Sequence, residues 1–131
     1  MRWNPLRTLT TIFVIVFILA GGSFISHSYI QTTTHGLVIQ LETVEHSIST
    51  QNWKVAETDL NATHQRWNKN KTLWTILLHH AEIDTIDLSM ERLEKYMATQ
   101  DSPLSLGEVS ALKLLFDHIA DSDQLNLRNI L

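Results

Sequence analysis

Between positions 9 and 30 the chain runs for 22 residues without an Asp, Glu, Lys or Arg. A helix rises about 1.5 Å per residue and a bilayer's hydrocarbon core is about 30 Å thick, so about 20 apolar residues suffice to cross it. The densest part runs from Thr11 to Ala20. Residues 9–30 are therefore expected to form a transmembrane helix whose partner is the lipid bilayer. Arg2 and Arg7 precede the segment, which places residues 1–8 in the cytoplasm and residues 31–131 outside. The alternative is a signal peptide, since a short basic start, an apolar run and the small residues Ala20, Gly21 and Gly22 imitate its three regions. Cleavage after Gly22 would release a secreted soluble binding module. Against cleavage, apolar residues resume at Phe24, Ile25, Tyr29 and Ile30, and no A-x-A site occurs. Gly22 and Ser26 have the spacing of a small-xxx-small helix contact.

About 100 residues remain beyond this segment, enough for one small domain. The chain has no cysteine, which excludes disulfides, thiol catalysis, thiolate metal sites and lipoprotein anchoring. The domain must be held by packing alone. Beyond residue 30, eight basic residues face fourteen acidic ones, a net charge of minus six. Nucleic acid is not an expected partner, because neutralising phosphates needs a concentrated basic surface and Arg66, Lys69 and Lys71 are the only cluster. Anionic headgroups are disfavoured on the same count.

Apolar residues after position 30 recur at helical spacing, so the fold class is all-α: one N-terminal transmembrane helix and then an antiparallel bundle of about four helices. Ile30, Leu37, Leu41, Val44 and Ile48 form a heptad-like seam, and this helix either continues the anchor or is interrupted around Thr32, Thr33, Thr34 and Gly36. Ser49 and Thr50 offer N-cap hydroxyls to a second helix beginning near Asn52. On it Trp53, Leu60, Trp67 and Trp74 recur every seven residues, a core stripe in which each indole N–H needs an acceptor. A break is expected at 68–70. A third helix, about 82–99, carries core positions Ile83, Ile86, Met90 and Leu93, with Met97 on the same stripe. If the chain reverses near His80, Lys71 approaches Asp87, and Arg66 approaches Glu91 or Glu94. Asp101-Ser102-Pro103 or a capping box at Ser105 and Glu108 starts a fourth helix, with core residues Leu112 and Phe116 and an end near Ala120. Leu125, Leu127, Ile130 and Leu131 make the terminus apolar enough to dock on the bundle.

Several of these landmarks occur together: Asn52-Trp53-Lys54-Val55-Ala56, Trp67 with Lys69 and Lys71, His80-Ala81-Glu82-Ile83-Asp84, Arg92-Leu93, and Leu127-Arg128-Asn129-Ile130-Leu131. In order and spacing they resemble an uncharacterised family of small single-span membrane proteins from bacteria, catalogued as domain of unknown function 4363. The resemblance implies a membrane-tethered helical domain and no established activity. It also marks His80, Glu82 and Asn129 as family-typical.

One cluster has the residue types for chemistry: His79, His80 and Glu82, with His118 from the last helix as a fourth candidate zinc ligand. Its spacing is not H-E-x-x-H, and adjacent histidines on a helix point about 100° apart. The structural alternative is that His80 caps the hairpin through a carboxylate while His79 is solvated. His27, His35, His46 and His64 look like surface positions. No G-x-S-x-G turn or phosphate-cradling glycine loop occurs. The expectation is accordingly no catalytic residue, no cofactor and no committed metal site. The function expected is a non-enzymatic, membrane-anchored domain for protein–protein interaction or envelope scaffolding, its partner unknown or a second copy. A metal-binding protein or metal-dependent enzyme using His79, His80 and Glu82 is the rival.

Overall fold

A computed structural model describes the backbone of residues 4–130 and the side chains of residues 4–123. Arg2 and Leu131 lie outside the described residues, as do the side chains of Leu125, Leu127 and Ile130. The apolar segment and the seam after it form a single helix, α1 (Pro5–Ser49), 45 residues long. It is about 68 Å from end to end at ~1.5 Å per residue. Of the two readings of the juncture, the structure has the unbroken one. Thr33 and Thr34 are buried, and Thr34 Oγ1 donates to the Ile30 carbonyl at 2.6 Å. Packing against other helices offsets the weak local propensity of threonine and glycine.

Four more helices follow: α2 (Trp53–Lys69), α3 (Lys71–Leu77), α4 (His80–Ala98) and α5 (Ser102–Ile130). The described residues contain no strand. The second half of α1, the pair α2 and α3, α4, and α5 form an up-down-up-down bundle. Within it α1 packs on α2 and α5, and α4 packs on α5 and α2. Every neighbouring pair is thus antiparallel, as short connections require.

The turns between helices rest on local hydrogen bonding. At the end of α1, Gln51 adopts φ 58°, its N–H donates to Ile48 O at 2.9 Å, and Asn52 N–H donates to Ser47 O at 2.9 Å. At the end of α4, Gln100 adopts φ 56°, with matching bonds from Gln100 to Met97 and from Asp101 to Tyr96. Both are Schellman motifs. The N-cap of α2 is Asn52, whose Oδ1 accepts from Val55 N–H. Ser49 and Thr50, expected to cap α2, donate back to carbonyls of α1 instead. Asp101 Oδ1 accepts from Leu104 N–H at 3.0 Å and caps α5, which leaves Ser105 buried inside the helix.

The expected end of α5 near Ala120 is wrong. Asp121, Ser122 and Asp123 are polar, but none is glycine or proline, and nothing there forbids the helix. The neighbouring α1 supports it further: Gln31 Nε2 donates to Ala120 O at 2.9 Å.

The core draws Ile30, Leu37, Leu41, Val44 and Ile48 from α1 and Ala56, Leu60 and Trp67 from α2. Trp74 of α3 joins them, with Ile83, Ile86, Met90, Leu93 and Met97 of α4 and Val109, Leu112, Phe116 and Ile119 of α5. Trp53 is only half-buried at the rim. Ile30, the last residue of the expected span, already belongs to the core. Below it the apolar residues from Leu6 to Ile25 are exposed, Phe17 to 80 %. By length and composition α1 is long and apolar enough to cross a membrane.

A non-glycine residue in the left-handed region costs about 1–2 kcal/mol, part of which glycine regains. Gln100→Gly is accordingly expected to stabilise the protein by about 0.5–1 kcal/mol. Urea unfolding in detergent measures it, and an unchanged or lowered midpoint would contradict the left-handed turn.

Candidate functional site

His79 is the extended N-cap residue of α4, and His80 opens the helix. Both are exposed, and neither side chain makes a hydrogen bond or ion pair among the described residues. The expected capping of the hairpin by His80 through a carboxylate is therefore not formed. The backbone makes the turn alone, with the Glu82 and Ile83 amides donating to His79 O. Glu82 is half-buried between two grooves. It shares one, about 280 Å³, with Ile30, Leu78, His79 and Asp123, and the other, about 170 Å³, with Ile86, Leu115 and His118. The structure thus brings Glu82 near His79 and, separately, near His118, and leaves His80 in neither groove. No three His, Asp or Glu side chains among the described residues converge as metal ligands would.

The hairpin of α2, α3 and α4 places Asp87 opposite the indole stripe. Trp67 Nε1–H donates to Asp87 Oδ1 at 2.8 Å, and Lys71 Nζ donates to Oδ2 at 2.7 Å. One carboxylate thereby satisfies a buried indole and an ammonium together. The approach of Lys71 to Asp87 follows from the register in sequence. The indole bond follows from the same register, since Trp67 lies one turn before Lys71. Arg66 does not reach Glu91 or Glu94. Its guanidinium lies over α1, where a Cβ on Gly36 would stand 2.7 Å from Nη2. The missing side chain of Gly36 makes room for it there.

Around this node the rings pack at tilted and edge-on angles. Trp67 lies 5.4 Å from Trp74 and 5.7 Å from Phe116, and Trp74 lies 5.9 Å from Tyr29. Among the described residues, the Trp74 Nε1 and Tyr29 hydroxyl are buried without a hydrogen-bond partner.

Polar pairs also cross the other seams. His27, expected on the surface, is part-buried and holds Asp123 of α5 at 2.6 Å from Nδ1 to Oδ2. Glu108 of α5 accepts from Ser89 Oγ at 2.5 Å and from Arg92 Nη2 at 3.0 Å on α4. Neither pair was signalled by spacing within one helix, because each depends on how α5 is placed against a partner. At the far end of the bundle, Trp53, Lys54, Glu57 and Leu60 face Glu94 and Met97 across a groove of about 490 Å³.

Asp87→Ala removes the acceptor of two donors at once, and a loss of about 1–3 kcal/mol is expected, with Asp87→Asn recovering most of it by keeping an oxygen for Trp67. Denaturation followed by tryptophan fluorescence checks both; full stability of the alanine variant would show the bonds to be incidental.

No curated protein and no solved structure shows a significant match to the chain. A family model does. It starts beside Ile25, where the exposed apolar stretch ends, and runs through the whole bundle. That model, Domain of unknown function (DUF4363), matches residues 24–130, and the chain belongs to this family.

Proposed function

We propose that the chain is a single-span membrane protein, with its N-terminus cytoplasmic and its bundle outside, that acts without catalysis as an interaction or envelope-scaffolding domain. One observation carries this reading: a single helix, α1, is exposed and apolar over its first half and a wall of the bundle over its second. A span and a domain that share one helix cannot swivel freely. Such a joint suits a protein that holds a partner, another protein or a second copy, at a set position relative to the membrane. Arg7 before the apolar stretch, with Arg2 in the sequence, supports the cytoplasmic N-terminus. Apolar residues that resume after the glycines at Phe24 and Ile25, without an A-x-A site, support an uncleaved anchor over a released module. The separation of His79, His80, Glu82 and His118 into different surroundings favours the non-enzymatic role over the metal-dependent one.

The topology is tested with protease on whole cells carrying a C-terminal tag. Loss of the tag, with the protein resisting alkaline extraction from membranes, is expected; a protected tag or an extractable protein overturns the reading. Photo-crosslinkers at Glu91 and Glu94, on the acidic face of α4, are expected to capture one reproducible neighbour. The purified full-length protein is expected to take up no stoichiometric zinc, with His80→Ala behaving as the parent in the same titration. Tight one-to-one zinc binding abolished by that substitution would restore the metal-dependent reading.

A further inference from the structure

Two large apolar side chains on α3 are exposed, Leu73 at 47 % and Ile76 at 75 %. They stand three positions apart and share one side of the helix. The position of α3 in the bundle gives this face its meaning. Trp74 packs on Tyr29 of α1, and the residues after it, Leu77, Leu78 and His79, share a groove with Ile30 and Asp123. Asp123 in turn holds His27. The chain from α2 into α3 therefore descends along α1 toward the apolar stretch and turns back at the level of residues 27–30. Ile25, the last exposed apolar residue of that stretch, lies only about 6 Å below Tyr29 along the helix. Interfacial helices bury an apolar face about 5–10 Å into the boundary between headgroups and acyl chains.

We propose that the face of α3 formed by Leu73 and Ile76 rests in the headgroup–acyl boundary of the same bilayer that α1 enters, giving the bundle a second membrane contact. The inference rests on the membrane-spanning reading of α1. The occupant is the lipid boundary, met by apolar insertion. A net charge of minus six beyond residue 30 gives no general attraction to anionic headgroups, and the contact does not need one. With α1 fixing the tilt axis and α3 touching down beside it, the bundle is held in one orientation about the span. The Trp53 groove, at the opposite end, is thereby turned away from the membrane.

The absence of cysteine makes the test direct, because single cysteines can be introduced and labelled without a background. The full chain carrying Ile76→Cys, Val14→Cys or Leu104→Cys is labelled with an environment-sensitive fluorophore. Each is reconstituted in phosphatidylcholine vesicles with and without brominated lipid, and circular dichroism verifies folding. The expected result is strong quenching and a blue-shifted emission at positions 14 and 76, with neither at position 104 on the distal end. Quenching at 14 without quenching at 76 overturns this inference and leaves the spanning reading intact. Loss of quenching at both overturns the spanning reading. Equal quenching at 76 and 104 overturns the oriented contact. Disulfide-linked dimers through position 76 with no lipid quenching place a second copy on the face and also overturn it.

Discussion

The bundle depends on the seam that α1 presents between α2 and α5. Leu37, Leu41, Val44 and Ile48 are fully buried, and with Ile30 they run along one side of the helix that also carries the exposed apolar stretch. Without that wall the stripes of α2 and α5 would face water. The same packing keeps α1 helical through Thr32, Thr33, Thr34 and Gly36, where local propensity alone favours a break. Burial of apolar area thus decides both the stability of the domain and the stiffness of its joint with the apolar stretch.

The aromatic cluster stabilises the lower half. Trp67, Trp74, Phe116 and Tyr29 bring residues from four helices into one contact set, and each fully buried indole removes ~150–250 Å² from water. Area of that size is worth roughly 4–6 kcal/mol per indole as an upper figure. Asp87 lets Trp67 be buried without an unmet N–H and at the same time fixes the register of the hairpin through Lys71. Trp74 has no such acceptor among the described residues, and its ring is held by packing against Trp67 and Tyr29. The hairpin turn below it is in consequence placed by ring contacts and by backbone bonds at His79, while the histidine side chains stay in solvent.

Helix number and most of the buried faces were legible because spacing at three and four residues reports directly which face of a helix is apolar, although Trp53, expected in the core stripe, is only half-buried. The seam of α1, the indole stripe, the break at Asn70 and the approach of Lys71 to Asp87 all follow from periodicity and a single chain reversal. The end of α5 did not. Asp121, Ser122 and Asp123 look like a terminus when taken alone, and the helix persists because Gln31 and His27 of α1 meet it there. The capping of α2 differed for a related reason: Ser49 and Thr50 lie close enough behind their own helix to bond back to it, leaving Asn52 to cap.

By itself, the sequence determined an all-helical chain with one charge-free apolar stretch, a domain of about 100 residues without disulfides, and the faces those helices bury. These are properties of local periodicity and composition, and they hold whatever the helices pack against. The tertiary structure alone decided that the apolar stretch and the first bundle helix are one rod, that His27 meets Asp123, and that His79, His80, Glu82 and His118 do not converge. Those outcomes depend on rotation and offset between helices, which are set by how whole side-chain surfaces interlock and not by any single stretch of chain.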